Sequence, residues 1–172
     1  ALVAAIYIGR RRGWPRELMA PHNLTLTALG MGILWFGWFG FNAGSALASD
    51  GVAVTAFVST NVSAAVGTLT WGFIEWAHRG KPTLLGAMSG AVAGLGSITP
   101  AAGFVTPAAA MAIGLVGGGL CYAAVTMLKP RFGYDDTLDV FGIHGIAGTW
   151  GTLATGIFAS IGASGLLYGN PG

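Results

Sequence analysis

From Leu84 to Leu128 the chain contains no Asp, Glu, Lys or Arg, and no other feature constrains its fold so tightly. A helix crosses a bilayer with about 20 apolar residues, so this stretch is too long for one crossing. Pro100, Gly103 and Pro107 interrupt it. Proline removes a backbone donor and clashes with the preceding turn, so the stretch divides into helices over 84–98 and 108–128. Two more charge-free runs cover 24–48 and 52–74, and a last one opens at Asp139 and reaches about Ile161. Residues 1–9 read as the end of an earlier helix. Ala1 opens inside that apolar segment without an initiator Met, which predicts a fragment and shows no signal peptide. The expected class is all-α: a polytopic membrane protein with about five transmembrane helices after the remnant.

Composition agrees with this reading. Hydrophobic residues make up 53% of the chain and charged residues 8%, against about 25% charged in a soluble domain. A soluble fold of this length could not hide so much apolar surface. There are 30 glycines, and small residues let membrane helices approach backbone to backbone. No Gly-X-Y period is present, and so apolar a chain is not disordered. The net charge of +2 is too small to argue for nucleic acid. The one cysteine, Cys121, lies in an apolar run and is expected to be a buried structural thiol.

The loops separate by charge. If every span crosses, the loops at 10–23, 75–83 and 129–138 share one side and hold Arg10, Arg11, Arg12, Arg16, Arg79, Lys81, Lys129 and Arg131, all the basic residues. The opposite loops, near 49–51 and 99–107, hold only Asp50. Basic loops face the cytoplasm. On these spans every Asp, Glu, Lys and Arg lies at or beyond a helix end, so no buried ion pair of the proton-pump kind is expected.

Few side chains could carry chemistry. His144 is the one ionisable group well inside a span, five residues and about 7.5 Å beyond Asp139. An imidazole in hydrocarbon needs a partner and should face protein. Gly142, Gly145 and Gly148 around it would admit a helix or a substrate. It is either a packed histidine bonded across helices or a pore-lining, proton-handling group. No second His or Cys stands at ligand spacing, so neither a metal nor a cofactor is expected. An enzyme is disfavoured because no nucleophile or acidic partner accompanies His144. His22 and His78 read as interfacial loop residues.

The segment from Trp35 to Ser45 gathers aromatic and small residues near a helix end. It is either an interfacial aromatic belt or a pore mouth at which ring faces and a hydroxyl hold a cation. Phe41 and Ser45 are four apart and expected on one helix face. Gly86, Gly90 and Gly94 form one stripe and Gly114 and Gly118 another, as helix packing surfaces use. Asp139, at a helix start, is expected to cap free N–H groups there.

Three blocks in register resemble the Amt/Mep branch of the ammonium transporter superfamily. They are Gly37-Trp-Phe-Gly-Phe-Asn-Ala-Gly-Ser45, Glu75-Trp-Ala-His-Arg-Gly-Lys-Pro82, and Asp139-Val-Phe-Gly-Ile-His-Gly-Ile-Ala-Gly-Thr149 continuing to Thr155-Gly-Ile-Phe158. The resemblance implies an eleven-helix fold of two inverted repeats, with this chain as the second, and a homotrimer with one pore per subunit. It implies ammonium recruited at an outer site and ammonia passed through a dry pore. Ser45 then resembles the outer hydroxyl, Phe41 a gate phenylalanine, His144 one of two facing histidines and Val140 a pore-lining aliphatic, with Trp38 also on the lumen. The first histidine and the other gate ring belong to the first repeat, so the isolated chain is expected not to conduct. The alternatives are an ammonium sensor and an Rh-like channel for ammonia or carbon dioxide. The cytoplasmic loops would be where a PII-type regulatory protein docks.

Overall fold

The computed structural model describes residues 1–17, 19–162 and 165–168; the remainder of the expected 1–172 domain, including Leu18 of the first basic loop, lies outside them. The described residues are helical, without strands. In order they form α1 (Leu2–Ile8), α2 (Leu24–Asn42), α3 (Gly51–Arg79), α4 (Leu84–Ile98), α5 (Pro107–Ala123), α6 (Lys129–Phe132) and α7 (Ile146–Phe158). Five residues of π helix, Ala124–Leu128, join α5 to α6, and five more, Phe141–Gly145, lead into α7. Among the described residues, three stretches are long and apolar enough to cross a membrane: Leu24–Ala46, Gly51–Arg79 and Pro107–Phe132. The helices of 15 and 13 residues at α4 and α7 extend about 20 Å each at 1.5 Å per residue.

Side chains of short reach start these helices. Asn23, Asp50, Thr83 and Thr106 each accept a hydrogen bond from an amide three residues on, replacing partners that a first turn lacks. Pro107 follows Thr106 as the first residue of α5, where its missing N–H costs nothing.

α3 runs to Arg79 rather than ending at 74. Glu75 therefore lies inside a helix, 4% exposed, and not in a loop. Its carboxylate accepts from the Thr83 amide at 2.9 Å and from the Thr83 hydroxyl at 3.0 and 3.1 Å. Those bonds replace the water that burial removes, so a charge here does not end the helix.

α3 is also the centre of the packing. On α4, a Cβ at Gly90 would lie 2.6 Å from the Gly67 carbonyl oxygen, and one at Gly94 would overlap the Ser63 carbonyl. On α5, a Cβ at Gly114 would overlap the same Ser63 carbonyl, and one at Gly118 would come within 3.0 Å of the Gly67 oxygen. Both small-residue stripes thus press on one patch of α3, where the Ser63 hydroxyl also donates to the Gly94 carbonyl at 2.8 Å. Backbones this close gain dispersion contacts that longer side chains would prevent.

The loops gather at two ends. Arg11 binds Asp135 through its backbone N–H at 2.8 Å and through its guanidinium at 2.9 and 2.6 Å. Pro21, Arg79 and Thr83 border one cavity, and Arg11, Lys129 and Thr137 border another, so the first basic loop lies beside each of the other two. At the other end Ser45, Val52 and Phe104 surround a cavity of about 370 Å³.

Candidate functional site

α2 is the least covered of the long helices: none of its spanning window is buried. Its last turns carry Trp38 and Phe41, and Phe41 is 61% exposed. Trp38 is fixed from α4. Its indole N–H donates to the Thr99 hydroxyl at 2.8 Å, and that hydroxyl donates to the Leu95 carbonyl at 2.7 Å. One hydroxyl used as acceptor and donor leaves the indole little freedom.

Held this way, Trp38 lies almost parallel to His144, with ring centroids 6.1 Å apart and planes inclined by 11°. Phe41 meets Trp38 edge-on, with centroids 6.0 Å apart and planes at 79°. The three rings, with Thr99 and Gly96, line a cavity of about 580 Å³. A Cβ at Gly96 would lie 3.1 Å from the Ala147 Cβ, so the glycine lets α7 pack against α4 beside this cavity. The walls are mostly aromatic and aliphatic, with an imidazole and a hydroxyl as the polar groups. Such walls disfavour a hydrated ion, which would lose water without full replacement, and admit a small neutral molecule that the imidazole can bond.

Ser45 does not border that cavity. It lies in a 3-10 turn, Gly44–Ala46, that follows α2, and its hydroxyl donates to the Phe41 carbonyl. Phe41 and Ser45 thus stay on one side of the chain, although the helix end between them tightens into the 3-10 turn. Ser45 borders the second cavity, which Phe41 and Thr99 also touch. Phe41 and Thr99 therefore border both spaces, one lined by Ser45 and the other by His144. Asn42 is buried and donates to the Thr60 hydroxyl at 2.9 Å, which satisfies its amide within the protein.

Val140 precedes the π turn Phe141–Gly145, which carries His144, and is not among the residues around the Trp38 cavity. Cys121 is fully buried, and its thiol donates to the Ile143 carbonyl at 3.4 Å.

Asp139 is not the cap of its helix. The Phe141 amide is capped by Asp136 Oδ2 at 2.7 Å, and the Asp139 carboxylate accepts from Lys129 at 2.6 Å. The reason is conformational. Asp139 has φ 54°, a left-handed backbone that Asp tolerates better than most residues, whereas a capping residue is normally extended. His78 contacts the Tyr122 hydroxyl through Nδ1 at 2.7 Å, so it is tied to α5 rather than free in a loop. Among the described residues no cluster of His, Cys, Asp and Glu could hold a metal.

Thr99 and Asp136 were not expected from the sequence. A hydroxyl closing an apolar run just before Pro100 marks the first, since it must find partners. Asp136 sits beside two other acids, Asp135 and Asp139, and spacing alone cannot rank them.

Residues 1–171 match the Ammonium Transporter Family. The chain is 56% identical to an ammonium transporter of Bacillus subtilis over 98% of its own length and 43% of that protein's. It is 52% identical to an ammonium transporter of Aquifex aeolicus over 99% of its length and 40% of that protein's. The structure resembles the crystal structure of Saccharomyces cerevisiae Mep2, with a TM-score of 0.78 and 48% identity over 81% of this chain and 33% of that one. It also resembles a sensor Amt protein, with a TM-score of 0.86 and 33% identity over 92% of this chain and 40% of that one. The chain spans about two-fifths of the length of these curated relatives. On its sequence and its helical architecture, the chain belongs to the Ammonium Transporter Family.

Proposed function

We propose that this chain is one wall of a pore that conducts ammonium as ammonia across the cytoplasmic membrane. The observation that carries the reading is the Trp38–His144 stack beside Phe41, in a largely apolar cavity. Ser45, with the nearby rings, recruits the cation from the outer side. Aromatic faces and a hydroxyl offset part of its hydration, and Phe41 guards the passage inward. Ammonium gives up its proton where water ends, and ammonia crosses the dry pore bonded to His144, one ring nitrogen accepting while the other donates. The proton crosses separately through the paired imidazoles, so each cycle moves one charge. Potassium has no neutral form and stays outside. Val140, one turn before His144, extends the apolar lining. The chain acts as a transporter segment, with no bond-making chemistry assigned to it.

The exposed face of α2 meets a second repeat in the intact protein, which assembles as a homotrimer in the lipid bilayer. The end bearing the basic loops 10–23, 75–83 and 129–138 faces the cytoplasm, where a PII-type regulatory protein docks. The resemblance to a sensor Amt protein favours one second reading, in which the same cavity binds ammonium and signals with little flux. No observation favours an Rh-like channel for carbon dioxide.

The test is the current evoked by an ammonium pulse in liposomes holding the full-length protein, with His144 and with His144→Ala. Loss of the current, or of its preference for ammonium over potassium, in the variant supports the pore. Absence of current from folded wild-type protein turns the reading to the sensor or to an electroneutral channel.

A further inference from the structure

Lys129 opens α6 and is not among the residues around the Trp38 cavity. Its ammonium nevertheless reaches the segment that leads to His144, donating to the Asp136 carbonyl at 2.7 Å and to Asp139 Oδ1 at 2.6 Å. The Lys129 side chain is 15% exposed and that of Asp139 29%, so water replaces little of either contact. Asp136, held through its carbonyl, turns its carboxylate to the Phe141 amide. That amide opens the π turn Phe141–Gly145. A single ammonium thus grips both the residue that caps the His144 segment and the left-handed residue that directs the chain into it.

We propose that Lys129 is a positioning residue for His144, setting where the π turn begins and hence the angle at which the imidazole meets Trp38. The inference rests on the pore reading above. Without the ammonium, the Asp139 carboxylate loses its hydrogen-bonded cation, and the left-handed Asp139 is held only by its backbone bonds to the Asp136 carbonyl and the Ile143 amide. Moving a helix start by one residue turns every side chain beyond it by about 100°. A shift of that kind takes His144 away from the Trp38 plane even though no residue of the cavity has changed. A π turn makes the shift easier, because its hydrogen bonds already depart from the α pattern.

The experiment uses the full-length protein in liposomes and measures the ratio of ammonium-evoked to potassium-evoked current. That ratio does not depend on how many molecules are active, so a variant that merely folds less well leaves it unchanged. Lys129→Met is expected to lower the ratio by about tenfold, since small displacements of a reacting group have large effects. Lys129→Arg, which keeps the charge, is expected to restore most of it. If Lys129→Met gives no folded protein, Asp139→Asn carries the same expectation: it tolerates the left-handed backbone but lacks the charge. An unchanged ratio in the tested variant, with a conducting wild type, overturns the positioning role alone. A folded wild type without ammonium current overturns the pore reading and this inference with it.

Discussion

Trp38 and His144, from α2 and the start of the last helix, lie nearly parallel with centroids 6.1 Å apart. Neither ring packs there by chance of sequence neighbourhood. The indole is tied to α4 through Thr99, and the imidazole is carried by a π turn. The geometry is therefore set by three separate elements and should respond to a change in any of them.

Thr99→Val tests the α4 contribution. Valine keeps the shape and removes the acceptor, leaving a partly buried indole N–H unpaired at a cost of about 1–3 kcal/mol. The protein should still assemble. Thermal melting in detergent is expected to fall by a few degrees, and ammonium current should decline with it. A variant with wild-type melting and current would show that Trp38 needs no tether.

The packing on α3 predicts a sharp contrast between glycines. A Cβ at Gly94 would overlap the Ser63 carbonyl and lie 2.8 Å from the Ala64 Cα, whereas one at Gly72 meets nothing within 4 Å. Backbone cannot yield as a flexible side chain can, so Gly94→Ala should cost about 1–3 kcal/mol or more by overpacking. Gly72→Ala should be neutral. Equal melting temperatures for the two variants would refute the close approach of α3 and α4.

These elements differ in how legible they are from sequence. The helical class follows from charge-free runs alone, because hydrocarbon admits little else. The two glycine stripes show that helices pack closely, but only the structure reveals that both press on Ser63 and Gly67. The end of α3 is not legible because Glu75 resembles a boundary; its burial depends on Thr83, a partner eight residues away across a turn. The Trp38–Thr99 bond joins residues 61 apart, beyond the reach of any periodicity. Asp136 caps the segment in place of Asp139 for a reason carried by one backbone angle, which composition does not encode.

The Arg11–Asp135 pair predicts a pH dependence. The guanidinium hydrogen bond holds the Asp135 carboxyl below its ordinary value of 3.8, against the opposing effect of burial. A depressed carboxyl pKa stabilises the fold above the unfolded-state value, and that stability is lost as pH falls through the lower folded-state value. The contribution is thus complete at neutral pH and fades only in strong acid. Asp135→Asn should melt earlier than wild type at pH 7, by the equivalent of about 1–3 kcal/mol for a charged hydrogen bond. The gap should close as both are acidified through the lowered pKa of Asp135, where the wild-type carboxyl is itself protonated. A gap that persists unchanged in acid would mean that the asparagine acts through packing, not charge.

The last prediction concerns Thr83, which has two tasks. Its hydroxyl caps the Gly86 amide at 3.0 Å and also donates to the Glu75 carboxylate, which is buried against α4. Removing an ordinary threonine cap costs about 1 kcal/mol. Thr83→Ala should cost more, because it also strips a buried carboxylate of its one hydroxyl donor while the Thr83 backbone N–H remains. Glu75→Gln should be destabilising by itself, since the amide oxygen is a weaker acceptor and its NH2 group faces a site built for an anion. The two losses share one contact, so they cannot add. A double-mutant cycle by thermal or denaturant unfolding should show coupling of about 0.5–3 kcal/mol, as contacting residues do. Strict additivity would mean that Thr83 acts only as a cap and that Glu75 is held by the backbone amide alone.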